Sequence, residues 1–116
     1  MSLLTIIMRD YRFKMDNKQK ALNLLGLAKR ARKIETGESI VLKQIQAQRA
    51  RYVFVGSNAS ENTKKKFRDK TEYYKIPISF EFTTEELSHS IGQQRTNIAI
   101  MDGGFASSFK TLLEDI

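Results

Sequence analysis

The chain has 116 residues, 41% of them hydrophobic, and a formal net charge of +7, enough for one buried core but not two. With no cysteine it has no disulfide, thiolate metal site or cysteine nucleophile, and the apolar run Leu3 to Met8 is too short for a membrane span or a signal segment. The charge is uneven: Met1 to Arg51 carries 12 Lys or Arg against 4 Asp or Glu, and Tyr52 to Ile116 carries 8 against 9.

The organised part begins near Met15, so residues 1–14 read equally as a loose leader or as a leader strand, with residues 15–116 as a single domain. Lys18 to Lys33 has helical periodicity. Ala21, Leu24, Leu25, Ala28 and Ala31 fall on the buried stripe, and Lys29, Arg32 and Lys33 elsewhere. Ile34 to Thr36 is a short strand before Gly37. Ser39 to Arg49 is predicted helical, with Val41, Leu42 and Ile45 inward. Tyr52 to Gly56 is a nearly unbroken apolar run, as in a strand covered on both faces.

Ser60 caps a polar helix running to Lys75, whose inner side takes in Phe67, Tyr73 and Tyr74. Beyond Pro77, Ile78 to Phe82 alternates as a strand. Thr84 is expected to cap a helix from Glu85 to Ile91, which Gly92 ends. Asn97 to Met101 is a second buried strand, and Gly103-Gly104 leads to a closing helix from Ala106 to Glu114. Strands covered on both faces and joined by helices imply an α/β fold, a three-layer α/β/α sandwich around a small mixed sheet.

Several possible chemical signals fail. His89 is the one histidine, with no placed carboxylate or hydroxyl partner, and reads as a surface residue. Glu85 and Glu86 are first-turn acids favoured by the helix dipole. Asp102-Gly103-Gly104 lacks the lysine and glycine spacing of a phosphate loop. The triplet Lys64-Lys65-Lys66 reads as a solvated helix face, partly neutralised by Glu61, Asp69 and Glu72. With no catalytic constellation, the expectation is a protein that is not an enzyme, with no cofactor and no small-molecule substrate. It is expected to be cytoplasmic and monomeric.

The basic half centres on Leu24 to Lys43, LLGLAKRARKIETGESIVLK: a basic helix end, a Thr-Gly turn and a second helix start. Ser39 and Lys43, four apart, share one helix face. Lys29, Arg30, Arg32 and Lys33 can surround that helix start with positive charge, and Gly37 lets a backbone approach. Cations beside free helix amides suit a polyanion, and RNA reading needs a bent or unstacked element because the A-form major groove is too narrow. The plain alternative is a helix C-terminus whose cations complement its dipole.

These segments, followed by the YVFVGSNAS strand and loop, a helix ending EYYKIP and the Gly92 loop before NIAIMD, occur in an order that resembles a known family. It is the superfamily of kink-turn RNA-binding ribosomal proteins of the archaeal and eukaryotic L-seven-A and L-thirty type, in its bacterial YlxQ-like branch. The resemblance covers about residues 20 to 115. It implies a protein that binds a kinked internal loop in structured RNA, ribosomal or other, in a ribosome or translation context. By position, Gly37 takes the family's glycine before the second helix, Glu38 and Ser39 its first-turn polar residues, and Lys43 its lysine in the RNA groove. Asn58 falls where the family has a polar residue near RNA, and Gly92, Gln93, Gln94 and Arg95 form the loop under the flipped-out nucleotide. Two departures stand out: Ser39-Ile40 replaces Asn-Glu or Lys-Gln, and the second loop is polar after its glycine. The same fold also occurs as a recognition module of rRNA 2′-O-methyltransferases, and as a protein-interaction module whose members tend to be acidic. A net +7 argues against the second.

Overall fold

Successive side chains on a strand point to opposite faces, and in this protein that alternation divides the interior into two cores. The computed structural model describes residues 3–114, with side chains described for residues 17–114. In chain order the elements are α1 Leu3–Arg30, β1 Ile34–Thr36, α2 Glu38–Gln46, β2 Tyr52–Val55, α3 Glu61–Tyr73, β3 Ile78–Ser79, α4 Thr84–Ile91, β4 Asn97–Ile100 and α5 Gly103–Leu113. The sheet order is β1-β4-β2-β3. Strand β4 runs antiparallel to β1 and β2, while β2 and β3 are parallel, so the sheet is mixed, as expected.

On one face Tyr52, Phe54, Ile98 and Ile100 meet Ala21, Leu25 and Ala28 of α1, Leu87 and Ile91 of α4, and Ala106 and Phe109 of α5. Phe54 anchors this core, with ring centroids 5.0 Å from both Tyr52 and Phe109. On the other face Val53, Val55 and Ala99 meet Val41 and Ile45 of α2 and Phe67 of α3. Three layers result: three helices, the sheet, two helices. Full burial of β2 and β4 on both faces explains the unbroken apolar runs Tyr52–Val55 and, after Asn97, Ile98–Ile100.

Several boundaries differ from the expectation, each for a local reason. Helix α1 ends at Arg30, and Ala31 is exposed beyond it rather than on the buried stripe. The helix begins at Leu3 and not at Lys18, so residues 3–14 are helical backbone rather than a leader strand; side chains are described from Asn17 onward. Helix α2 begins one residue early and stops at Gln46. Tyr73 is 78% exposed, because six residues from Phe67 it lies about 120° off the buried face that Phe67, Thr71 and Tyr74 share, and its ring rests edge-on against Tyr74 at 4.8 Å. Thr83, not Thr84, caps α4: its hydroxyl accepts from Glu86 N at 3.1 Å while Glu86 Oε1 accepts from Thr83 N at 3.0 Å, the reciprocal capping box. Gly103 and Gly104 are already helical, since Asp102 caps α5 by accepting from Phe105 N at 2.9 Å. Strand β3 stops at Ser79, whose hydroxyl accepts from Glu81 N.

The connections sort by end of the sheet. Thr36, Val55 and Ser79 finish their strands where Asn97 starts β4, which gathers the turns around Gly37, Ser57–Asn58 and Gln93–Thr96 at one pole. At the other pole lie Arg32–Lys33, Gln48–Arg51, Tyr74–Pro77 and Met101–Asp102.

Candidate nucleic-acid interface

At the first pole β1 hands the chain to α2 through Gly37, whose φ of 98° and ψ of 145° lie in a region other residues rarely occupy. Its N–H donates to Asn97 O at 3.2 Å and its carbonyl accepts from Val41 N at 2.9 Å. Among the described residues no side chain caps α2, and none lies within 4 Å of where a Cβ on Gly37 would point. The first-turn amides therefore carry the positive end of the helix dipole toward an open approach. Glu38, Ser39, Ile40 and Lys43 are exposed there. Lys43 forms no ion pair among the described residues, whereas Glu38 is held by Lys66 of α3 at 3.1 Å.

The second loop is fastened to this helix start. Gly92 ends α4 in the left-handed region, with φ 68°. Ser88 Oγ accepts from Arg95 N and donates to Arg95 O, both at 3.0 Å. Lys29 of α1 donates from Nζ to Gln93 Oε1 at 3.1 Å. Arg95 Nε donates to Thr36 Oγ1 at 3.1 Å, next to Gly37, and Arg95 Nη1 to Gln94 O at 2.7 Å. The end of α1, the start of α2 and the Gly92 loop are thus one connected unit. Within it Lys29, Gln93 and Arg95 are half-buried struts, while Gly92 and Gln94 face outward.

Other expected residues sit differently. Asn58 shares the pole but is occupied: its Oδ1 accepts from Thr84 N at 2.9 Å, and its Nδ2 donates to Glu85 at 3.0 Å. It secures the first turn of α4. Arg32 and Lys33 lie at the start of β1, where Lys33 O accepts from Met101 N at 2.8 Å. Three strand residues separate Lys33 from Gly37, a distance of about 13 Å, so Arg32 and Lys33 do not surround the α2 start. Arg30 lines a groove between α1 and α4 with Glu85, Glu86 and His89, and His89 is a surface residue. Burial pushes the Tyr52 hydroxyl above its usual range, but that group belongs to the core and not to this surface.

Three residues of the unit escape a reading of the sequence. Thr36 and Asn97 act through a hydroxyl and a backbone carbonyl, with no signal in residue type; the Asn97 side-chain oxygen is buried with no hydrogen-bond partner among the described residues. Lys66 had a weak signal in its triplet. Helix phase then separates the three lysines: Lys64 reaches Ser57 O and Glu61, Lys65 pairs with Asp69, and Lys66 reaches Glu38.

The chain is similar in sequence and fold to known proteins. The chain is 47% identical over 98 residues to the RNA-binding protein YlxQ of Enterococcus faecium, covering 84% of this chain and 95% of that one. It is 45% identical over 92 residues to RNA-binding protein YlxQ of Bacillus subtilis (strain 168), covering 78% and 92%. The structure of a protein of unknown function from Bacillus halodurans C superposes with a TM-score of 0.79 at 38% identity, over 82% of this chain and 97% of that one. The Giardia lamblia 15.5kD RNA binding protein superposes with a TM-score of 0.73 over 87% and 88%, and at 15% identity it speaks for the fold alone. The model of the ribosomal protein L7Ae/L30e/S12e/Gadd45 family matches residues 19–108, and the chain belongs to that family.

Proposed function

We propose that this protein binds structured RNA without catalysis and recognises a kinked internal loop, in a ribosome- or translation-associated role in the cytoplasm. The observation that carries this reading is the pair of bonds from Lys29 to Gln93 and from Arg95 to Thr36, which hold the second loop beside the uncapped start of α2. A regular A-form groove does not admit a helix end, but a kink opens it. In this reading the amides after Gly37 and the Lys43 ammonium meet phosphates and base edges in the opened groove, and Gly92 and Gln94 meet the displaced nucleotide. The names of the two YlxQ relatives support RNA as the partner class. The basic first half supplies the long-range attraction.

Titrating a kinked RNA and a straight duplex of equal length across a salt series tests the proposal. Purely electrostatic binding makes the two affinities fall together as counterions compete. Reading of the bend keeps the kinked RNA ahead at about 0.15 M salt, where exposed charges are largely screened. Replacing Gln94 and Arg95 together by Ala should lower the kinked-to-straight ratio, because it removes both the outward-facing group and the strut. A wild-type ratio near one at every salt concentration sinks the kink reading.

A further inference from the structure

The pole opposite Gly37 has its own concentration of charge. Arg32 and Lys33 precede β1, Arg49 and Arg51 precede β2, and Lys70 and Lys75 flank the end of α3. None of these six forms an ion pair among the described residues. The carboxylates in the same turns are Glu72 and Asp102, and Asp102 is engaged in capping α5. Backbone bonds bring the segments together: Met101 N donates to Lys33 O at 2.8 Å and Arg51 N to Ile100 O at 2.7 Å. Parallel pairing of Val53 with Ile78 carries Arg51 beside Ile76, the neighbour of Lys75, about 4.8 Å away across the strands. Tyr73, also 78% exposed, stands at the end of α3 beside them.

Backbone geometry gives a second, independent sign. The non-glycine residues with positive φ among those described are Arg32 (60°), Gln48 (58°) and Lys75 (57°), one before each of β1, β2 and β3. Each closes a helix by the same pair of bonds, for example Lys75 N to Glu72 O and Ile76 N to Thr71 O. Glycine is the usual residue at such a position, and a side chain there is disfavoured. Cations in a last helical turn are explained by the dipole, whose effect fades beyond that turn. The dipole does not account for Arg49, Arg51 or Lys75, which lie past the helix ends, nor for two long cationic side chains placed where glycine is easier.

We propose that this pole is a second RNA-contacting surface, in which Arg49, Arg51 and Lys75 hold the sugar–phosphate backbone of a strand leading away from the first site and Tyr73 stacks on an unpaired base. Exposed aromatics among unpaired cations suit single-stranded RNA, where stacking tolerates any base and phosphate contacts supply affinity. The proposal rests on the RNA reading for the identity of the polyanion but not on the kink.

The test uses the full chain and a kinked RNA, bare or with a single-stranded extension of about 16 nucleotides, the upper range for such sites. In the wild type the extension should raise affinity and steepen the salt dependence. In the combined variant Arg49→Ser, Arg51→Ser, Lys75→Gly the slope should flatten by about 2, at roughly 0.7 per lost phosphate contact, with bare kinked RNA bound as before. Tyr73→Ala should reduce the gain from a single-stranded extension about fivefold and leave the gain from a duplex extension unchanged. If the extension adds nothing in the wild type, or the triple variant keeps the full slope, the second surface is refuted. Equal loss of binding to poly-glutamate would overturn the RNA assignment in favour of an acidic protein. A kinked-to-straight ratio near one refutes the first site alone, since the extension is measured against bare RNA of the same shape.

Discussion

The two poles close their helices with the same bond pattern but different residues. At the Gly37 pole α4 ends on Gly92, with Gln93 N bonded to Ser88 O. At the opposite pole α1, α2 and α3 end on Arg32, Gln48 and Lys75, with Lys33, Arg49 and Ile76 bonded back in the same way. The positive backbone ends also differ: at the Gly37 pole α2 offers uncapped amides, whereas at the other three helices end and the one that starts there, α5, is capped by the Asp102 carboxylate. A polyanion is therefore attracted to the first pole by backbone and side chain together, and to the second by side chains alone, against three helix C-termini and beside an N-terminus already capped by a carboxylate. The first is built for close approach and the second for reach.

Gly37→Val should separate the poles most sharply. A β-branched residue at φ 98° is strained even in open space, at a cost of about 1–3 kcal/mol in stability. At equal folded fraction, judged by circular dichroism, it should also weaken RNA binding well beyond Lys110→Ala, because the methyls occupy the approach to the α2 amides. Equal affinities for the two variants would reduce the Thr36–Glu38 turn to a structural connection.

Lys43→Ala comes next and acts on binding alone. The side chain is exposed, while its helix is held by Val41 and Ile45, both fully buried. Melting should be unchanged, and affinity for kinked RNA should fall by about 1–3 kcal/mol, the range for a close base or phosphate contact. An unchanged titration removes Lys43 from the site.

A stability contrast of about 1 kcal/mol follows from the helix ends. Lys75→Gly relieves a left-handed side chain, a gain of about 1–2 kcal/mol, partly offset by the greater freedom of glycine in the unfolded chain, about 0.4–1 kcal/mol. Net stabilisation is expected. Gly92→Ala inverts both terms and should destabilise. If Lys75→Gly proves destabilising in thermal melts, its side chain makes a folded-state contact and the argument from strain fails.

The core was legible in the residues because hydrophobic periodicity is local. Ala21, Leu25 and Ala28 recur at helical spacing, and Tyr52 to Val55 and Ile98 to Ile100 are apolar on both faces. Order and element type followed from that pattern and from turn residues such as Gly37 and Gly92. Where the pattern met a helix end, it misled: Ala31 keeps the right spacing but lies past the last residue of α1, and Tyr73, six residues from Phe67, falls off the face that Thr71 and Tyr74 continue. The interface was legible only as a set of residue types. Whether Lys29 and Arg95 reach outward or act as struts depends on Gln93 and Thr36, which lie 64 and 59 residues away. The displacement of Arg32 and Lys33 to the other pole depends on β1 pairing with β4. Neither follows from spacing along the chain.

The smallest effect tests the sign of the field at the Gly37 pole. Glu38 is the one acidic residue in the first turn of α2, paired with Lys66 at 3.1 Å, the two side chains 42% and 52% exposed. So exposed a pair contributes only about 0.2–0.5 kcal/mol once screening is counted, and a favourable dipole contact adds a few tenths. Glu38→Gln should therefore lower stability by about 0.5 kcal/mol. It also removes a negative charge where phosphate would approach and releases the Lys66 ammonium. Affinity for kinked and straight RNA should rise together at low salt, and the gain should fade near 0.15 M as the Debye length contracts to about 8 Å. A loss confined to the kinked RNA, persisting at that salt, would mean that the carboxylate accepts a hydrogen bond from a base. Glu38 would then be a reading group, and its bond to Lys66 would be the contact that RNA displaces.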